Sequence, residues 1–201
     1  MKEAIIIFVR NPELGKVKTR LASDIGDKKA LEVYIKLLEH TRDTISGLAA
    51  DKFVFSTETF NGNWPDCINE IQSAGDLGTK MYNAFELVFA RGYDRILIIG
   101  SDCLELTEHH MEEAFTALNN NDIVIGPATD GGYYLLGMKK CRAFLFSNKT
   151  WSTPLVYQQT LDAITQNSLS VHSLIMLKDV DTVDDMPAQL KKFIRHGNTS
   201  G

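Results

Sequence analysis

The sequence predicts an α/β fold, a three-layer sandwich with helices on both faces of a mostly parallel, mixed sheet. Three observations lead there. Short runs rich in Ile, Val or Phe, each closed by Gly, Asp, Asn or Ser, alternate with longer amphipathic stretches. Those stretches are long enough to carry right-handed crossovers between parallel strands. One late run follows Gly131-Gly132 rather than a helix, so the second half of the sheet is expected to be mixed. With no internal repeat, linker or low-complexity tract, residues 1–201 are expected to form one domain.

The elements follow in order. The apolar run from Ala4 to Val9 is the first strand, and a polar loop leads from it to a helix expected to begin near Val17. Leu31, Tyr34, Leu38 and Ile45 mark a long helix, followed by strands at 52–56 and 68–72. From Thr79 to Arg91, the residues Met81, Ala84, Phe85, Val88 and Phe89 form one continuous apolar stripe, and Gly92 ends it. A strand at 95–99, a helix carrying Met111, Ala114, Phe115 and Leu118, and a strand at 122–125 come next. Tyr133 to Met138 is the strand with the different connection, and Tyr157, Thr160, Leu161 and Ile164 mark the helix after it. Asp184 and Asp185 are read as the start of a C-terminal helix, where acids suit the dipole, and the tail from His196 to Gly201 as frayed.

Composition narrows the function. The 26 acidic residues outnumber the 21 basic ones for a net charge of -5, which argues against a broad nucleic-acid surface and requires any basic site to be focal. Cys67, Cys103 and Cys141 are far apart and form no CxxC pair, so neither a disulfide framework nor a zinc ribbon is expected. No apolar run approaches the ~18 residues that would span a bilayer, so a soluble, cytoplasmic protein is expected. His109-His110 lacks a metal-spaced partner, and Cys103 is read as packing.

The chemistry is concentrated at expected strand ends, where ligands collect in open α/β sheets. FVRNPELGKVKTRL places Arg10, Lys16, Lys18 and Arg20 around Gly15, just beyond the first strand. Cations at a helix start oppose the dipole, so an anion is their natural partner, and the loop reads as a phosphate site. A solvated helix face is the plainer alternative. Neither a GxxxxGK[ST] loop nor a GxGxxG fingerprint is present. Asp102 in GSDC ends the most hydrophobic strand, and Asp181 in DVDTVDD precedes the last helix; strand-end acids can coordinate a hard divalent cation. Asp130 with Gly131, Gly132, Tyr133 and Tyr134 reads either as turn chemistry or as a platform for a sugar or base. Trp151 reads as a stacking residue or as core.

Together, FVRNPELGKVKTRLA, QSAGDLGTKM, GSDCLELT, GPATDGGYYLLG, Trp151-Ser152-Thr153 and DVDTVDD resemble a bacterial family of GT-A-fold nucleotide-diphospho-sugar transferase-like proteins, over nearly the whole chain. That family is related to the 2-phospholactate guanylyltransferases and the molybdenum-cofactor nucleotidyltransferases. The resemblance implies that Arg10, Gly15, Lys18 and Arg20 meet nucleotide phosphates, and that Gln72, Asp76, Leu77, Gly78 and Thr79 form the loop near the base. It further implies that Asp102 and Asp181 hold Mg2+ or Mn2+, and that Asp130, Gly131, Gly132, Tyr133 and Trp151 face the second substrate. Leu14, Leu104 and Val183 stand where the family usually has proline, which alters loop rigidity more than charge.

Two reactions fit these parts. In glycosyl transfer, the family's usual label and the reading placed first, the metal and basic loop stabilise a departing nucleoside diphosphate while Asp130 deprotonates an acceptor hydroxyl. In nucleotidyl transfer, the same groups, Lys18 among them, offset charge on the α-phosphate as pyrophosphate leaves. The partners are then a nucleotide or nucleotide-sugar donor and a small-molecule acceptor, with a homodimer left open. A catalytically silent nucleotide-binding partner protein is the third class.

Overall fold

In a computed structural model, which describes residues 1–196, the chain forms one seven-stranded sheet with helices on both faces. The strands are β1 (Glu3–Phe8), β2 (Asp51–Ser56), β3 (Cys67–Ile71), β4 (Arg95–Ile99), β5 (Ile123–Pro127), β6 (Tyr133–Met138) and β7 (Val171–Ser173). The helices are α1 (Thr19–Ile25), α2 (Asp27–Ser46), α3 (Leu77–Ala90), α4 (Glu108–Ala117), α5 (Val156–Gln166) and α6 (Ala188–His196).

Spatial order is β3-β2-β1-β4-β6-β5-β7. β1 runs parallel to both β2 and β4, and β2 to β3. β6 alone is reversed, antiparallel to β4 on one side and β5 on the other, because no helical crossover separates it from β5. The sheet is therefore mixed, as the Gly131-Gly132 connection predicts.

Alternation along the central strands makes two cores. Ile5, Ile7, Leu97 and Ile99 point toward Tyr34 and Leu38 of α2 and Met111 and Phe115 of α4. Ala4, Ile6, Ile96 and Ile98 point the other way, toward Met81, Phe85 and Val88 of α3 and Ile164 of α5. A third cluster, Leu21, Val33 and Leu37 against Val180, Met186 and Leu190, ties the C-terminal segment to α1 and α2.

Three expectations change. The first helix begins at Thr19 rather than near Val17, and it breaks at Gly26, whose φ of 82° lies in the region open to glycine. β7 has only three residues, too short for periodicity to reveal. Asp184 and Asp185 do not start the last helix, which begins at Ala188, after Pro187. Asp185 instead closes the preceding turn by accepting from Thr182 N and Oγ1 at 2.8 and 2.7 Å, and it pairs with Lys178 at 3.0 Å. Against the upward pull of burial, these partners hold its carboxyl down at about 2. His196 is still helical; the rest of the tail expected to fray lies outside the described residues. His110 caps α4, its Nδ1 accepting from Thr107 N at 3.1 Å. No described helix is long and apolar enough to cross a membrane.

Phe85 is fully buried on α3, within 5.7 Å of the Phe146 ring. Phe85→Ala should cost roughly 3–5 kcal/mol and lower Tm by about 10 °C, as measured by calorimetry.

Candidate functional site

At the carboxyl ends of β1 and β4 the chain opens a cleft of about 690 Å³. The position follows from topology. From β1 the chain proceeds to β2 and β3 on one side, then returns to β4 on the other, so the loops beyond β1 and β4 diverge and leave a crevice.

Tyr34 of α2 fixes the two loops flanking that crevice. Its hydroxyl accepts from Arg10 N at 2.8 Å, donates to Arg10 O at 3.1 Å, and lies 3.4 Å from Ser101 Oγ. Sequence periodicity marks Tyr34 only as core. On the opposite side, residues 177–180 cross the strand ends: Ala128 bridges to Leu177, Cys103 to Asp179, and Val180 N donates to Asp102 O at 2.9 Å.

Lys18 caps α1 in the left-handed region, with φ 48° and ψ 45°, a conformation that costs a non-glycine residue about 1 kcal/mol or more. Its side chain is only 5% exposed, and its ammonium sits between two carboxylates, 3.0 Å from Asp102 Oδ1 and 2.9 Å from Asp181 Oδ1. Against burial, which favours the neutral amine, these two charges hold its pKa above the ordinary lysine value. The three groups placed far apart in the sequence therefore meet.

The other cations divide. Arg10, Arg20 and Lys80 line the cleft, whereas Lys16 pairs with Glu13 at 2.6 Å and lies outside the lining with Gly15. Arg20 is 74% exposed and 3.8 Å from Asp181 Oδ2, too long for a hydrogen bond. Lys80 is missing from the sequence reading although the signal is present: a cation in the first turn of α3, opposed by the dipole as in the first loop.

Gln72 and Leu77 line the cleft; Asp76, Gly78 and Thr79 do not. Asp76 caps α3, its Oδ1 accepting from Thr79 N at 2.8 Å, and that bond holds its pKa down. A Cβ on Gly78 would sit 2.6 Å from Phe146 O and from the Trp151 ring, so Gly78 serves the packing of Trp151, which lines the cleft. Gly131, at φ 86°, backs onto Pro154 and is outside the lining, whereas Asp130 and Gly132 are in it. Asp130 Oδ1 accepts from Gly132 N at 2.8 Å.

The tyrosines are not free faces. Tyr133 lines the cleft with its hydroxyl turned onto Met81 Sδ at 3.8 Å, and Tyr134 is buried with its hydroxyl on Ile175 O. Cys103 is buried, and burial followed by the Asp179 charge pushes its thiol up to about 12, far from a nucleophilic thiolate.

Asp102 and Asp181 fit a hard divalent ion in donor chemistry. Mg2+ takes one or two carboxylates and completes its shell with water and substrate phosphates. Among the described residues no cluster of three or more His, Cys, Asp or Glu is arranged to hold a metal, so protein donors alone would leave most of its coordination shell to water and substrate.

Residues 36–153 match the model of a family described as "Uncharacterized protein conserved in bacteria (DUF2064)". A candidate nucleotide-diphospho-sugar transferase from Desulfovibrio desulfuricans G20 is 32% identical at a TM-score of 0.87, with 100% of this chain and 90% of that one covered. A 2-phospho-L-lactate guanylyltransferase of Methanocaldococcus vulcanius is 23% identical over 136 residues, 67% of this chain; the match spans only 61% of that relative's length. The 4-diphosphocytidyl-2C-methyl-D-erythritol synthase of Anaerococcus prevotii is 12% identical at a TM-score of 0.60, covers 96% of each chain, and shares the fold alone.

Asp179 lines the cleft beside the acid pair. Burial, then the charges of Asp102 and Asp130, push its carboxyl up to about 7. An acid raised by folding contributes its stability fully below the unfolded value near 4 and loses it as pH rises through about 7. Asp179→Asn removes that loss. It should leave Tm within a degree or so at about pH 3, where both states largely carry the proton, and raise stability by about 1–3 kcal/mol at about pH 9, as read from thermal melts across that range.

Proposed function

The chain belongs to the DUF2064 family, and from the geometry of its cleft we propose that it is a metal-dependent nucleotidyltransferase, coupling a nucleoside triphosphate to a small phosphorylated molecule. One observation carries this reading: Arg10, Arg20 and Lys80 line the same cleft as the Lys18–Asp102–Asp181 cluster. Lys18 is held by the two acids in the free protein, so these three cations are the ones a polyphosphate meets first.

In this reading a phosphate oxygen of the acceptor attacks the α-phosphorus, the bond to the bridging oxygen breaks, and pyrophosphate leaves with the electron pair. An acceptor phosphate is ionised already at neutral pH, so the step requires no general base. Arg10, Arg20 and Lys80 offset charge on the β- and γ-phosphates, and Gln72 and Leu77 lie at the wall assigned to the base. Asp102 and Asp181 would hold Mg2+ or Mn2+, which when bound supplies further charge neutralisation at the phosphates. Support also comes from the guanylyltransferase relative, matched over two thirds of this chain.

A second reading, glycosyl transfer from a nucleotide sugar, is favoured by Asp130, an exposed carboxylate in the cleft lining that suits deprotonation of an acceptor hydroxyl, and by the Desulfovibrio relative. Arg10, Arg20 and Lys80 in the cleft lining supply more positive charge than a nucleotide sugar needs, which places this reading second.

The two reactions release different products. Purified protein with Mg2+, each nucleoside triphosphate and a pool of phosphorylated metabolites should release pyrophosphate; release of nucleoside diphosphate from nucleotide sugars, and none of pyrophosphate, would instead establish glycosyl transfer. Lys80→Ala and Arg10→Ala should each weaken triphosphate binding about tenfold while leaving nucleoside binding unchanged in titration calorimetry; equal loss for both ligands would remove these residues from the phosphate site.

A further inference from the structure

We infer that Lys18 and a divalent cation are alternative occupants of the Asp102–Asp181 pair, so that Lys18 keeps the metal position closed until a polyphosphate draws its ammonium away. The inference rests on the nucleotide reading for the trigger, and on the structure for the exchange.

The geometry allows one occupant. The Lys18 ammonium lies 3.0 and 2.9 Å from one oxygen of each acid. A hard cation held by the same two oxygens would take the place the ammonium now fills between them. Two cations cannot share that position.

The acids do not need Lys18 to stay together. Val180 N donates to Asp102 O at 2.9 Å, the Cys103–Asp179 bridge lies between the same segments, and Val180 is buried with Leu21, Val33 and Leu37. The carboxylate pair is therefore held ready for a cation by backbone and core. Their side chains are 43% and 38% exposed, so an ion arriving from the cleft can reach them, whereas the Lys18 side chain, which lines the same cleft, is 5% exposed.

The consequence is a gated site. In the nucleotide-free protein an internal ammonium already satisfies the two carboxylates, and a free metal ion must displace it. A bound polyphosphate offers Lys18 other anionic oxygens and brings oxygen ligands for the metal as well, so phosphate and metal bind cooperatively. The same exchange lets Lys18 contribute its charge to the phosphates, the role its loop suggests.

Mn2+ binding to the nucleotide-free protein, followed by electron paramagnetic resonance, tests this directly. Lys18→Met keeps most of the unbranched apolar stem and removes the charge; it should bind Mn2+ at least tenfold more tightly than wild type, and adding Asp102→Asn to it should abolish the gain. Equal affinity in wild type and Lys18→Met overturns the exchange. If the variant melts early, wild-type protein serves: at Mn2+ concentrations that electron paramagnetic resonance shows to be bound, reductive methylation of Lys18, read by peptide mass spectrometry, should rise, and unchanged labelling with Mn2+ bound overturns the exchange. A metal-free titration with nucleoside triphosphate separates the two proposals, since absent nucleotide binding would end the nucleotide reading while the Mn2+ comparison still decides the exchange.

Discussion

Everything at the cleft is arranged around one buried ammonium. Carrying a lysine charge into a site of 5% exposure costs several kcal/mol unless anions meet it there, and the anions come from residues 102 and 181. The pair therefore ties the loop after β1 to the loop after β4 and to the segment preceding α6. Apolar packing places the last of these: Val180, Met186 and Leu190 bury against α1 and α2, which carries Asp181 to the strand ends. Charge then selects among the arrangements that packing permits, since a buried pair specifies geometry more than it adds stability.

The sheet explains why this happens beyond β1 and β4. Parallel strands with crossovers on opposite sides diverge at that point, so no connection fills the space between the loops. The reversal of β6 brings the start of that strand, and Asp130 just ahead of it, to the same end of the sheet. Cleft walls are then made from residues that also serve the core, which is why Tyr133, Tyr134 and Trp151 are all partly or wholly buried.

Local patterns carried much of this into the sequence. Runs of Ile and Val at 4–9, 95–99 and 122–125 are short, β-branched and closed by turn residues, and the stripe from Met81 to Phe89 has the helical period, so strands and helices are readable. The acids at 102 and 181 and the basic first loop were readable as strand-end chemistry, because topology sends such residues to one edge. Their pairing was not: Lys18 and Asp181 are 163 residues apart, and nothing local records which cation is consumed by which acid. For the same reason Lys16 and Lys18, alike in the sequence, end in a surface pair with Glu13 and in a buried cluster respectively. Asp184 and Asp185 misled because an acid before a helix and an acid closing a turn share one composition, and only the hydrogen bonds to Thr182 distinguish them.

The cations of the cleft thus differ in what they can do. Arg20 is largely exposed and Arg10 sits on an exposed loop position, so each can follow a phosphate as it moves, at the cost of ordering a long side chain. Lys18 is ordered before any ligand arrives, held on a strained backbone by two carboxylates, so its ordering cost is met in folding and its charge passes from the acids to the phosphates when a metal takes its place. A site for transfer at phosphorus needs both kinds. The flexible cations capture the polyphosphate and release the leaving group, while the ammonium exchanged for a metal adds charge where it develops at the phosphates, and only what is stronger there than in the ground state lowers the barrier.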